Sequence, residues 1–384
     1  MARALYIHWP FCLAKCPYCD FNSHVRAAAD IGDWETALLA DMRHEASNGT
    51  TEESLASIFF GGGTPSLMPP ALVARLLTEV EALWGFDPEI EITLEANPSS
   101  VEAANFAALA TAGVNRVSLG VQSLRDEVLR FLGRLHDVGE AFQAIETAQS
   151  HFDRVSIDLI YARPDQTAEQ WAGELGEALS LGTDHLSLYQ LTIEPATRFA
   201  TDVRRGVFTP LDDDHAADLF AVTRDMTTSA GLPAYEVSNH ARPGQESRHN
   251  LTYWRYQDYV GIGPGAHGRR GNAATVRHKK PENFLAAVAS TGHGIAEERS
   301  LERHEQASEA LLMGLRLAEG IDLTGLARRF DVEQPRLIDD AKLALYRDLG
   351  LMWSGEGRIG VTPQGMPLLD ALLGEVVREE LVTP

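Results

Sequence analysis

The chain has 384 residues, 44% of them hydrophobic, with 33 basic against 55 acidic side chains and a formal charge of -22. That imbalance argues against a nucleic-acid surface as the main partner, because binding phosphates needs clustered cations. No stretch approaches the roughly 20 apolar residues of a membrane span, and the N-terminus lacks the basic flank and apolar run of a signal peptide. A cytoplasmic protein is expected, with at most peripheral association with a membrane.

In chain order, the apolar run Ala4–Trp9 reads as a strand and leads into Cys12-Leu-Ala-Lys-Cys16-Pro-Tyr-Cys19. These are the only three cysteines. An odd number with no other thiol excludes a disulfide framework. Zinc would need His8, Asp20 or His24 as a fourth ligand. Three thiolates on one tight loop suit better a [4Fe–4S] cluster held at three irons, the fourth staying open to a small molecule. The bland alternative is three core cysteines. Unpaired thiols suit a reducing compartment.

Further apolar runs at Ser57–Phe60, Glu89–Ala96, Arg116–Gln122, Arg154–Tyr161 and His185–Thr192 read as buried parallel strands. Helix signals alternate with them. Asp33 can cap a helix carrying Trp34, Leu38 and Met42, and Pro69-Pro70 opens another. Ser99 and Glu102 have capping-box spacing before a helix ending at Gly113, and Thr167 and Gln170 repeat the box. A helix near 214–230 stops at Gly231. Six β/α units are two short of a closed barrel, so a partly open (β/α)6 barrel of the TIM type is expected, with its chemistry in the loops after the strands. Gly61–Pro65, Glu95, Asn97, Gln122, Ser123, Asp158, Gln190 and Thr192 fall at those ends.

The expected division is a barrel over 1–231, a small α/β linking region over 232–300 and a C-terminal domain over 301–384. The last reads as three helices (304–318, 323–330, 334–349), a hairpin and a final helix, resembling a winged helix. Interleaved acids favour a scaffold or partner-docking role over DNA binding. In the linking region, His249-Asn-Leu-Thr-Tyr-Trp254 offers an imidazole and two flat rings, which suit haem. Arg269, Arg270, Lys279 and Lys280 could pair its propionates. The alternative is a partly exposed histidine in an aromatic strand. Gly261-Ile-Gly-Pro-Gly265 is not read as a dinucleotide fingerprint, because Pro264 interrupts it and no helix evidently follows.

Several motifs together resemble the HemW haem chaperones, members of the radical S-adenosylmethionine (SAM) superfamily within the oxygen-independent coproporphyrinogen III oxidase family. They are Leu5 through Cys19, Gly61–Pro65, Glu95–Pro98, Gly120–Ser123, Leu132–His136, Asp158–Tyr161, Leu188–Pro195 and His249–Trp254. The resemblance implies that Cys12, Cys16 and Cys19 ligate the cluster. It implies that Tyr6, Gly62, Gly63, Thr64, Glu95, Gln122, Arg134 and Asp158 contact SAM, and that His249 binds haem. Haem-acceptor proteins, with respiratory-chain components as candidates, would then be the partners. The oxidases continue the cysteine motif with a fourth cysteine where this chain has Phe21, and carry an N-terminal extension before it. Both departures favour a chaperone over an oxidase-like radical SAM enzyme. Tyr161-Ala-Arg-Pro-Asp-Gln166 departs from the family's glycine-rich turn.

Overall fold

The computed structural model describes residues 2–26, 30–48 and 54–378; positions 379–384, the end of the expected C-terminal domain, lie outside the described residues. The six expected strands form as β1 (Ala2–Trp9), β2 (Leu55–Gly62), β3 (Phe86–Ala96), β4 (Arg116–Gln122), β5 (Arg154–Tyr161) and β6 (His185–Gln190). They pair in parallel in chain order. The linking region continues this sheet. On the β6 side the short β7 (Asn239–Ala241) adds antiparallel. On the other side β8 (Asp258–Ile262) pairs in parallel with β1, followed by β9 (His267–Arg270), β10 (Ala273–Arg277) and β11 (Ile295–Ser300). The sheet therefore runs β11-β10-β9-β8-β1-β2-β3-β4-β5-β6-β7.

The barrel strands alternate strictly. Leu5, Ile7, Ile58, Phe60, Ile92, Leu94, Val117, Leu119, Val155, Ile157, Leu186 and Leu188 belong to one core shared with the surrounding helices. The residues between them point to the opposite face, and apart from Phe59, which packs against Tyr6 and His249, they are polar. Arg116 donates to Thr93 at 3.3 Å, Ser118 to Asp158 at 3.0 Å, and Ser156 bonds His185 at 2.7 Å. The strands are thus not the uniformly apolar runs expected of a sheet covered by helices on both faces. One face packs the helices and the other lines a hydrogen-bonded interior.

Several helix limits move for local reasons. The first helix, Ile31–Asn48, starts ahead of Asp33, since Asp30 accepts the Gly32 and Asp33 amides. The helix expected up to Gly113 is two pieces, Ser100–Ala103 and Phe106–Thr111. Ser99 caps the first, but the Glu102 carboxylate turns inward to Ser66 and the Asn97 amide instead of closing the box. Thr167 and Gln170 do form a complete capping box on Ala168–Ser180.

The C-terminal segment has its own core. It comprises helices Arg303–Gly314, Leu323–Phe330, Asp340–Asp348 and Leu369–Val376 around a three-stranded sheet of Ile321–Asp322, Arg358–Val361 and Met352–Gly355. That is a winged-helix pattern, with one more strand than expected. Phe220 and Tyr256 join this core, which fastens it to the barrel.

The sheet extension is locked by charge. Arg277 is fully buried and donates to Asp41 at 3.1 Å and to Glu45 at 2.6 Å. Asp41 also accepts the Gly294 and Gly263 amides. Removing the cation would leave buried Asp41 without a charged partner and Glu45 with Arg270 alone, and breaking a buried pair typically costs about 3–5 kcal/mol. Arg277→Leu is expected to lower stability by that order in urea unfolding, and replacing Asp41 and Glu45 by Asn and Gln in the same chain should recover part of the loss.

Candidate functional site

Pro10 ends β1, and the chain turns back through the cysteine loop, where the Cys19 amide donates to the Cys16 carbonyl at 3.2 Å. A two-residue ladder, Phe11–Cys12 with His24–Val25, closes the base of the loop. His8 fixes its far end. Its Nε2 lies 2.8 Å from the Asn22 carbonyl and its Nδ1 2.9 Å from the Tyr6 hydroxyl. A carbonyl can only accept, so we assign the proton to Nε2. Burial lowers the His8 pKa to about 4 and keeps the ring neutral. The Asn22 amide group in turn donates to the carbonyls of Pro264 and Lys279, both at 2.9 Å.

The glycine loop after β2 lies against this turn. The Gly63 amide donates to Trp9 at 2.7 Å and the Thr64 amide to Phe11 at 2.8 Å. Gly62 has φ +115°, and a Cβ there would sit 2.5 Å from the His8 ring; one on Gly63 would lie 2.7 Å from the Phe11 carbonyl. Both must be glycine for the two loops to meet.

A polar chain ties the thiols to the strand ends. Thr64 donates to the Cys12 sulfur at 3.4 Å, Asn97 to Thr64 at 3.2 Å, and Arg134 to Asn97 at 2.5 Å. Arg134 also reaches the Cys16 sulfur at 3.4 Å and the Gly120 carbonyl at 2.8 Å. Cys12, Cys16, Cys19, Gly62, Gly63, Thr64, Glu95, Gln122, Arg134 and Asp158 all line one cavity of about 680 Å³. Gln122 does so with φ +69°, a left-handed backbone rare outside glycine and often found at ligand sites. Ser118, Asn97 and Tyr189 share the cavity; the period-two alternation of the strands would have flagged Ser118 and Tyr189.

Glu95 pairs with neither Arg116 nor Arg134; its carboxylate accepts the Gly62 amide at 3.2 Å. Burial and the nearby Asp158 charge push its pKa up to about 8. Burial likewise raises Asp158, and it raises the Cys12 and Cys19 thiols.

Other expected residues lie elsewhere. Tyr6 sits below the cavity with its ring 6.3 Å from Phe59 and 6.4 Å from His249. Ser123 is a structural residue, buried with Arg163 and Glu174, which pair at 2.5 Å. In the segment 161–166, Ala162 and Asp165 take φ +54° and +58°, the left-handed turns that glycine would satisfy without strain.

His249 is not on a strand. Ser247 accepts the Asn250 amide and starts the helix Arg248–Trp254, a cap that the sequence reading missed. Glu91 receives the Arg248 and His249 amides and pairs with Arg154 at 2.7 Å, which pins this helix to β3 and β5. His249 is 1% exposed; Nδ1 lies 3.1 Å from the Ser57 hydroxyl and Nε2 2.7 Å from the Tyr253 hydroxyl. Burial lowers its pKa to about 3, so the imidazole is neutral. Nor does the basic island stand free. Arg269 lies 3.5 Å over the Tyr256 ring, and Arg270 pairs with Glu45 and Glu298. Only Lys279 and Lys280 are exposed.

The fold is that of the Escherichia coli coproporphyrinogen III oxidase HemN, with a TM-score of 0.82 at 24% identity over 97% of this chain and 89% of that one. Residues 6–175 match the Radical SAM superfamily and 301–368 the HemN C-terminal domain. The heme chaperone HemW of E. coli is 38% identical over 96% of this chain and 97% of its own. That of Bacillus subtilis is 31% identical over 98% and 100%. The chain belongs to the HemW family. The mouse mitochondrial radical S-adenosyl methionine domain-containing protein 1 is similarly related, at 37% over 96% of this chain and 86% of its own. Membership of the superfamily implies a [4Fe–4S] cluster and SAM. The donor set fits: three thiols on one loop, two of them already receiving hydrogen bonds that would favour thiolate. Among the described residues no three His, Cys, Asp or Glu side chains could share a single ion. A cubane, in contrast, takes each thiolate on a separate iron.

The raised Glu95 carboxyl couples stability to pH. A folded-state pKa near 8 against an ordinary 4.5 means that ionisation opposes folding. In cofactor-free protein this contribution to stability is complete below about 4.5 and lost as pH rises through about 8. Glu95→Gln is expected to flatten that decline in thermal melts taken across the interval; an unchanged pH profile would refute the assignment.

Proposed function

We propose that the protein is a haem chaperone, which binds haem and hands it to acceptor proteins while carrying a three-cysteine [4Fe–4S] cluster and SAM. The observation that carries this reading is chain-long identity of 31–38% to proteins named heme chaperones. The named oxidase shares the fold at 24%. Phe21, 66% exposed at the cavity rim, further favours it, standing where the resemblance gives the oxidases a fourth cysteine.

Cys12, Cys16 and Cys19 would hold the cluster, whose open iron supplies a site for the amino and carboxylate groups of SAM. Around that site Thr64 and Arg134 hold two sulfurs in place, and the Gly62–Gly63 turn leaves the backbone accessible. Glu95, Gln122 and Asp158 offer polar contacts to ribose and amine, with Tyr6 supporting the floor through His8. Partial burial of this set lowers the local dielectric and strengthens each contact. His249 would serve as the axial haem ligand. Its Nε2 is engaged by Tyr253 of the same helix and the ring is buried, so ligation would require the Tyr253 side chain to turn away and the ring to be uncovered.

Two outcomes are expected. Anaerobic reconstitution should give iron and sulfide in equal amounts, and Cys16→Ser should reduce both to background; zinc without sulfide would remove the cluster. Haemin added to the full chain should give a Soret band that weakens in His249→Ala, and an unchanged band removes that ligand. Anaerobic conversion of coproporphyrinogen III by the reconstituted protein would instead favour an oxidase-like enzyme.

A further inference from the structure

Across the cysteine loop from the cavity already described lies a second one, of about 890 Å³. This is within the roughly 300–1,000 Å³ of small-molecule sites. Cys16, Cys19 and Lys15 line both. The second cavity is walled by Phe131, Phe199 and Phe208. Phe131 stacks on Phe199 at 4.8 Å, and Phe208 meets them edge-on at 5.4 and 5.1 Å. Val207, 67% exposed, adds an apolar rim.

Three cations join these rings: Lys15, Arg130 and Arg198. Arg198 is answered by Asp202 at 3.4 Å. Lys15 and Arg130 are exposed and make no ion pair among the described residues; the acids of the same lining are Asp20 and the Asp202 that answers Arg198. In a chain of net charge -22, such a place is a local exception to a field that repels anions. Ring faces take a flat apolar body, and separate cations take carboxylates. No histidine lines the cavity, and its two cysteines are those assigned to the cluster.

We infer that this cavity is a docking site for a planar porphyrin dicarboxylate, seated against Val207 and the partly exposed Phe131 and Phe208 that pack over buried Phe199, and held by Lys15 and Arg130, without an axial ligand to its metal. The inference rests on the haem-chaperone reading and adds to it a second place, remote from the buried His249, where the cargo is held by shape and charge. Because the metal is not used, metal-free protoporphyrin IX must bind as haemin does.

The test titrates the reconstituted full-length protein with protoporphyrin IX, followed by fluorescence, and with haemin, followed by absorbance. Arg130→Glu changes an exposed side chain in the last turn of a helix and is expected to fold normally; Phe208→Ala removes a ring. Each is expected to weaken protoporphyrin IX roughly tenfold, the worth of one good contact, and His249→Ala is expected to leave it unchanged. Wild-type affinity in both cavity variants overturns the site, as does binding of haemin but not of protoporphyrin IX, with the chaperone reading left standing. Wild-type protein that binds neither porphyrin overturns both.

Discussion

One neutral imidazole holds the site together. His8 accepts from the Tyr6 hydroxyl on one nitrogen and donates to the Asn22 carbonyl through the other, so the end of β1 and the exit of the cysteine loop are fixed relative to each other. Gly62 is pressed against the same ring so closely that no side chain fits. The glycine loop, the cysteine loop and the strand that carries them therefore share one fixed point. A protonated ring could not accept from Tyr6, and burial prevents that protonation by holding the pKa near 4.

Around that point the barrel solves a problem that its composition creates. Its inner face is lined by Glu91, Glu95, Arg116, Arg154, Asp158 and His185, groups that are costly to take out of water. Glu91 meets Arg154 and the first amides of the helix Arg248–Trp254, and His185 meets Ser156 and Tyr235. Toward the cysteine end the pairing thins. Among the described residues no cation lies within hydrogen-bonding reach of Glu95 or Asp158, and both carboxyls are pushed upward. The buried polar lining is thus paired where it supports the fold and left underpaired where a polar cofactor would complete it.

Much of the site was legible in the sequence because its signals are local. Three thiols within eight positions, a glycine triplet after a strand, and polar residues at strand ends are all patterns in a single short stretch, and the strands appear where the apolar runs put them. The His249 segment was misread because its decisive signal is a cap, Ser247, and because its partners Ser57 and Glu91 lie on strands far earlier in the chain. Arg269 and Arg270 looked like a basic island for a similar reason: their partners, Tyr256, Glu45 and Glu298, come from several other segments.

The sequence alone determined which side chains can ligate iron and which strand ends carry polar groups, since spacing and alternation follow from covalent geometry and the pleat. Only the tertiary structure decided what those groups face. It joined β8 to β1 and carried the linking region into the sheet, and it buried His249 under a short helix. It also set the phenylalanine wall beside the cysteine loop. Each depends on contacts between residues distant in the chain, which no local pattern encodes.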